Sequence, residues 1–340
     1  MINHALRSVL GEGSSLPQNL AAALIGCSSI PELRSLAPLP VDAQRLIDNA
    51  VVKVGRERLV IVDDLLNANL TYPLPDPLSV MELYWESEVE AGHAIRTMLP
   101  DARGERQIGQ RTGHRVPIYI TMDDFSFNIR TLRASERVGA PLDTTAVESA
   151  TRNVNEATED AVWNGFSDQS GNLIKVAGNS AVGILNAPDV ATQAYVDGEA
   201  WTAAGHSGED IVTDVLAMID QAVADKFYGP FNFYMPLNYA SKLNQDFKSA
   251  TSGTILERLQ AIKTDGGRGI NFRPVAQLPA NRTALVQMTS DVIDLVVGQT
   301  PTEVSWSSPD GFRYYAVIMA VIVQRLKSGG KGIVLGGLTA

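Results

Sequence analysis

The clearest alternation of apolar and polar positions runs through residues 80–118. Met81, Leu83, Trp85 and Val89 take one parity, and Glu82, Tyr84, Glu86, Glu88 and Glu90 take the other, the period-two pattern of a β-strand. Pro100, Asp101 and Gly104 mark a tip. A return limb then carries Arg103, Arg106, Arg111 and Arg115 ahead of the apolar Val116-Pro117-Ile118-Tyr119-Ile120. Two limbs of about 18 residues at about 3.3 Å each reach on the order of 60 Å. An isolated two-stranded ribbon is marginal in water. The pattern therefore predicts an arm that cannot pack in its own domain and finds support on a partner subunit.

Behind the arm the period changes from two to 3.6. Thr145 can cap a helix while Glu148 answers three residues on, as in a capping box. Val147, Ala150, Val154, Ala157 and Ala161 then share one face, which predicts a helix to about Asn164, roughly 20 residues or 30 Å long. The stripe is narrow and mostly alanine, so contact along one edge only is expected, and Gly165 permits termination. Further on, Ile211, Val215, Ile219, Val223 and Phe227 fall four apart on an acid-led helix, joined by Val212 and Leu216.

The remaining pattern is mixed. Residues 1–40 read as an arm with one short helix, 43–54 as a helix, and Leu59-Val60-Ile61-Val62-Asp63-Asp64 as a short strand or helix end. Three prolines between Tyr72 and Pro77 force an extended path. A strand is expected at 116–121, a helical stretch at 123–134, and a short extended piece at 182–186. Phe231 to Met235 reads as a strand, Pro236 opens a helix to about 247, and 254–262 is a further helix. Strands follow near 273–277, 283–287, 292–298, 304–307, 312–325 and 332–335, with a hairpin-type turn at 308–311. Strands and helices are segregated, which makes this an α+β chain.

Composition narrows the partners. The 340 residues are enough for two core-bearing units. A net charge of −10 argues against a surface that holds nucleic acid by neutralising phosphates. The single cysteine, Cys27, excludes an intrachain disulfide framework. The start of the chain lacks a charged segment followed by an apolar core, so no signal peptide is expected. The strongest apolar run, residues 316–323, is too short to span a bilayer and suits a buried strand. The glycosylation-type tripeptides at Asn69 and Asn281 read as chance matches.

Catalytic and metal chemistry finds little support. His4, His93, His114 and His206 are scattered, with no cysteine partner and no metalloprotease spacing. His93 and His114 face each other across the arm and are expected as surface histidines. The adjacent acids Asp63-Asp64 and Asp123-Asp124 would point to opposite faces of a strand. Gly329-Gly330-Lys331-Gly332 lacks the remaining residues of a phosphate loop and reads as a hairpin turn. No catalytic residue, metal or cofactor is expected.

Glu159-Asp160-Ala161-Val162-Trp163-Asn164-Gly165, then Gly183-Ile184-Leu185-Asn186, then Phe233-Tyr234-Met235-Pro236-Leu237-Asn238, and finally the stretches 291–297 and 312–323 occur in an order that resembles the tailed-phage major capsid protein family. Encapsulin shell proteins share its fold. The resemblance implies an N-terminal arm (1–40), a peripheral domain (41–75 and 120–204) with a long spine helix at 145–164, and an extended loop (76–119). It further implies an axial domain (205–300), peripheral return strands (301–327) and a C-terminal return to the axial domain (328–340). Inter-subunit contacts would then fall on Glu82, Leu83, Trp85, Glu86, Glu88, Val89, Glu90, Arg103, Arg106, Arg111 and Arg115.

The function so implied is self-assembly, through hexamers and pentamers, into an icosahedral shell around double-stranded DNA that it encloses without specific binding. The alternative is an encapsulin-type shell around protein cargo. Implied partners are further copies of the chain and a portal protein, with any scaffold or cement protein a separate chain, and no membrane. The virion would be the location and the host cytoplasm the place of assembly. The chain begins at Met1 without a charged coiled-coil segment, which leads us to expect an unprocessed start. Some relatives weld their shells by an isopeptide bond from an extended-loop lysine, but no lysine occurs between Lys53 and Lys175, so a non-covalent shell is expected.

Overall fold

The computed structural model describes residues 50–51, 59–89, 110–131, 134, 145–167, 172–248, 251–264, 267–308 and 312–337. The readings at 1–40, at 43–49 and at the arm tip, with Glu90, His93, Arg103 and Arg106, lie outside them.

The apolar run 316–323 forms the middle of β14 (Arg313–Leu326), the spine of a four-stranded sheet ordered β1-β13-β14-β4. Its partner β13 (Ile293–Ser307) runs antiparallel, with register shifts between Val297 and Gln299 and between Gln299 and Thr302. Those irregularities explain why one bulged strand reads in sequence as two. β1 (Thr71–Pro73) lies parallel to β13. The other edge is β4 (Thr121–Asn128), antiparallel to β14. A helical stretch was expected from residue 123, but residues to Asn128 are strand. Phe125 and Phe127 turn toward a cluster with Val147, Ala150, Val154 and Ile318, while Met122, Asp124, Ser126 and Asn128 are exposed. Pairing with β14 outweighs the weak local preference of Asp123-Asp124.

Helix α2 (Thr145–Asn164) lies across this sheet, against β14 and β4. Its buried face is broader than its alanines suggest and includes Thr151, Asn155, Thr158 and Glu159, whereas Ala157 is exposed. The threonines satisfy themselves: Thr151 and Thr158 donate to the carbonyls of Val147 and Val154, each at 2.8 Å. Such back-bonding lets a hydroxyl enter a core without an unmet donor. Glu159 accepts from the backbone N–H of Ile61 (2.9 Å) and Val62 (3.3 Å). It thereby caps α1 (Ile61–Asn67), which has no side-chain cap of its own, at the positive end of the helix. Leu59 to Asp64 is thus a helix start and not a strand. Gly165 ends α2 at φ +80°, and a Cβ on the neighbouring Gly183 would lie 2.3 Å from the Trp163 carbonyl oxygen. This contact bends residues 182–186 into a 3-10 turn over Ile184–Asn186 instead of an extended piece.

A second, five-stranded sheet is ordered β11-β8-β12-β15-β7. It comprises β7 (Ala191–Ala194), β8 (Phe231–Pro236), β11 (Asn271–Val275), β12 (Arg282–Gln287) and β15 (Ile333–Gly337). β8 is buried throughout. Pro274 sits in the edge strand β11, where its missing N–H costs no ladder bond. One side is covered by α3 (Gly208–Ala224), whose Ser207 and Asp210 form a capping box. Of its expected apolar face, Ile211, Val215 and Ile219 are buried, but Leu216 and Val223 are exposed. Short elements α4 (Leu237–Leu243) and α5 (Ile255–Gln260) complete that side, with the small hairpin of β9 (Asp246–Lys248) and β10 (Thr251–Thr254), whereas the hairpin of β5 (Lys175–Val176) and β6 (Asn179–Ser180) lies against the strand Gln110–Pro117.

The two sheets share one core, in which Trp163, Tyr234, Ile293, Leu295, Ile333 and Leu335 all take part. Each fully buried side chain of this size contributes about 1.5–3 kcal/mol. The glycines expected to turn a hairpin connect the sheets instead: Gly329, Gly330 and Gly332, all at positive φ, carry the chain from β14 to β15, which do not pair. β7 at 191–194 joins the five-stranded sheet and β13 from residue 293 joins the four-stranded one, so sheet membership does not change at residues 205 and 300.

Candidate functional site

The arm is a β-ribbon. β2 (Glu82–Val89) pairs antiparallel with β3 (Gln110–Pro117), in a continuous register from Glu82↔Pro117 to Val89↔Gln110. Opposed residues of such a pair point to the same side, so the ribbon has two faces. One presents Leu83 with Val116 and Trp85 with His114. The other presents Glu82, Tyr84 with Arg115, and Glu86 with Gly113.

The first face meets its own chain at the root. Leu83, Trp85 and Val116 pack in a cluster with Leu74, Tyr119, Ala161, Val296 and Val323. The expectation that the arm cannot pack in its own domain therefore fails here. β2 and β3 continue directly from residues anchored on β1 and β4, which brings their apolar parity onto the four-stranded sheet. Tyr119 stacks on Phe166 with centroids 4.5 Å apart and donates to Gln324 at 2.9 Å.

Arg325 sets the direction of the root. Its Nε donates to Asp294 Oδ1 at 2.8 Å and its Nη2 to Oδ2 at 2.5 Å. Its guanidinium lies over Tyr72 (4.6 Å) and Trp85 (5.7 Å). Lys327 adds a second cation to Asp294 at 2.9 Å. Trp85 in turn stacks on His114 (5.5 Å), and the His114 ring shares a 2.7 Å hydrogen bond with Ser87. A buried ion pair and two cation–π contacts thus link the sheet to the ribbon. Sequence reasoning took His114 for a surface histidine and overlooked Arg325 and Asp294. The available signal was a charge within an apolar run, which is seldom buried without a partner.

The second face is charged and paired within itself. Arg115 meets Glu82 and Arg111 meets Glu86, each at 3.5 Å. Of the acids and arginines singled out in sequence, Glu82, Glu86, Arg111 and Arg115 are therefore brought together limb to limb. Glu88 and Val89 are placed on β2 by the backbone alone.

Other polar clusters are internal. Asp214 accepts from the backbone N–H of Val196 (2.7 Å) and from Trp201 Nε1 (2.7 Å), and contacts His206 Nε2 at 3.1 Å. Burial pushes its carboxyl up, against the pull of those bonds. Asp64 is likewise pushed up by burial, while Tyr234 and Arg273 draw it down. Burial also raises Glu159 above the usual carboxylate range, opposed by the amides it caps. Each of these carboxylates ties backbone or rings of distant segments together, a structural office. Among the described residues, no group of three or more His, Cys, Asp or Glu side chains is placed to hold a metal. An open cleft of about 480 Å³ lies beside β11, lined by Gln260, Ile270, Asn271, Phe272 and Arg273. Arg273 is already paired with Asp64 at 2.9 Å.

Comparison with known proteins gives a family and a fold. A model of a family of unknown function, DUF6260, matches residues 106–319. No curated protein matches the sequence. Among solved structures, a virus-like particle from Pyrococcus furiosus is similar at TM-score 0.59 and 15% identity, over 87% of this chain and 99% of that one. The capsid of Myoviridae phage XM1 is similar at TM-score 0.58 and 14% identity, over 76% and 86%. The capsid of the native GTA particle gives TM-score 0.58 and 12% identity, over 84% and 93%. The architecture is the α+β tailed-phage major capsid fold.

Proposed function

This chain belongs to the DUF6260 family, and from that membership together with its fold we propose that it is a major capsid protein. It self-assembles through hexamers and pentamers into an icosahedral shell around the double-stranded DNA of a tailed phage, as a structural and not an enzymatic subunit. The observation that carries this reading is the fold, matched over most of the length of capsid chains. The ribbon β2–β3 supports it, because the ion pairs of its charged face among the described residues run between its own two limbs and their arginines stay largely exposed.

In this reading 145–164 is the spine helix, 76–119 the extended loop, and the five-stranded sheet with α3 the greater part of the axial domain. The shell forms in the host cytoplasm and resides in the virion, together with a portal protein, and any scaffold or cement protein it uses is a separate chain. With a net charge of −10 per chain, DNA is held off the wall by repulsion and balanced by small cations. Without a lysine between Lys53 and Lys175, the arm lacks the amine for an isopeptide weld, and arginine stays protonated. Particles should run on a denaturing gel as one band near 36.6 kDa.

The test is electron microscopy of the purified protein with nuclease protection of particle DNA. Closed shells that protect duplex DNA are expected, and replacing residues 88–111 by a short turn should leave a folded subunit that no longer closes. Normal shells from that deletion would remove the outer part of the arm, beyond Ser87 and Thr112, from assembly. A second reading, an encapsulin-type shell around protein cargo, rests on the match over 99% of the Pyrococcus furiosus virus-like-particle chain. It predicts particles that contain protein and no nucleic acid.

A further inference from the structure

Tyr84 is an aromatic residue held in place on an exposed face. It is 54% exposed, yet it is fixed at three points on the charged face of the ribbon. Its hydroxyl donates to Glu86 Oε1 at 2.8 Å. The Arg115 guanidinium lies 5.8 Å from the ring centroid. Its ring lies over Gly113, where a Cβ would come 2.8 Å from the phenol oxygen and 2.9 Å from a ring carbon. Gly113 does not need to be glycine for its backbone, since its φ is not in the left-handed region. Its lack of a side chain is what leaves room for the tyrosine.

We propose that Tyr84, clamped by Glu86, Arg115 and Gly113, is the anchor through which the arm grips a second copy of this chain. The inference rests on the shell reading and names the residue and the face that carry the contact. The opposite face is already committed at its root, where Leu83, Trp85 and Val116 pack on the chain's own sheet. A neighbour can therefore engage only the charged face there. Arg111 and Arg115 keep 67% and 56% of their side chains exposed, and their ion pairs stand at 3.5 Å. Both cations are thus free to take a further carboxylate. A second copy offers one readily, because each chain carries 38 acidic against 28 basic residues. An ordered tyrosine flanked by arginines is the composition of an interface hot spot. Fixing its rotamer beforehand removes the entropy loss that an exposed aromatic would otherwise suffer on docking.

The experiment uses the full chain in three forms: wild type, Tyr84→Ala and Gly113→Ala. The first variant removes the ring, and the second keeps it but displaces it. Assembly is followed by light scattering against protein concentration, and hydrogen exchange of β2 and β3 is measured in unassembled subunits. Both variants should raise the concentration needed for assembly by about tenfold or more, the effect of losing a hot spot. Exchange in β8 and β12 of the core should be unchanged. Equal assembly of wild type and Tyr84→Ala would overturn the anchor and leave the shell reading standing. A wild type that forms no oligomer would overturn both. If both variants lose protection in β2 and β3 but assemble normally, the clamp serves only the ribbon, and the proposal fails.

Discussion

The arm and the body use the same ionic side chains to opposite ends. On the ribbon, Arg111 and Glu86 meet at 3.5 Å with 67% and 41% of their side chains exposed. In the body, Arg325 and Asp294 meet at 2.5 Å with 7% and 5% exposed. Water screens the first pair, which is worth roughly 0–1 kcal/mol and can exchange partners. The second pair lies under Tyr72 and Trp85, where removing one member strands a charge. Charge on the arm is available to a neighbour, while charge in the body fixes the direction in which the arm leaves.

The strongest way to break that contrast is Asp294→Ala. It leaves the Arg325 guanidinium buried without its carboxylate, and unpairing one member of a buried pair costs about 3–5 kcal/mol. The urea midpoint should fall accordingly with an unchanged slope. Amide exchange at the root of β2 and β3 should rise, because nothing then fixes the Arg325 cation against Trp85. A loss under about 1 kcal/mol would mean that solvent reaches the pair and that the root is not set by it.

Next comes Glu159→Gln, which sharpens the contrast through pH. Burial raises the folded carboxyl above its ordinary value of 4.5. Below that value Glu159 is protonated whether folded or not and makes no pH-dependent contribution. As pH rises from there through the raised folded value, the unfolded chain releases its proton first, and the folded state loses relative stability. Subtracting the variant's stability-against-pH curve from the wild type's should therefore leave a difference that declines across that window. A flat or rising difference would show that the amides of Ile61 and Val62 outweigh burial.

Much of this architecture was legible where one local pattern decides. The run 316–323 gave a buried strand, the 3.6 spacing and Gly165 gave α2 its extent, and the parity of residues 82–89 gave the ribbon its two faces. What stayed hidden depends on partners far along the chain. Glu159 and Thr151 fall outside the expected alanine stripe, because the groups that satisfy them are backbone atoms, some of them 97 or 98 residues away. β4 read as helical because Asp123-Asp124 breaks its alternation, and only β14 makes it a strand. The root of the arm read as unsupported because Arg325 lies far downstream of Trp85. At the candidate site the opposed acids and arginines were visible. The clamp on Tyr84 was not, since it needs the register that sets Gly113 diagonally across from it.

The smallest expected effect is that of Glu86→Gln, and its smallness is what it tests. The substitution removes the Arg111 ion pair while an amide oxygen can still accept from Tyr84, so the clamp survives. For an exposed pair the change in subunit stability should stay within about 1 kcal/mol, and the difference between low and high salt should shrink because one screened contact is gone. Assembly should hold or improve at low salt, since Arg111 is released toward a neighbour's carboxylates. A stability loss above about 2 kcal/mol, insensitive to salt, would show that the arm's charge is held as tightly as that of Asp294. The ribbon would then be part of the body's framework, with no freely exchangeable face to offer a second subunit.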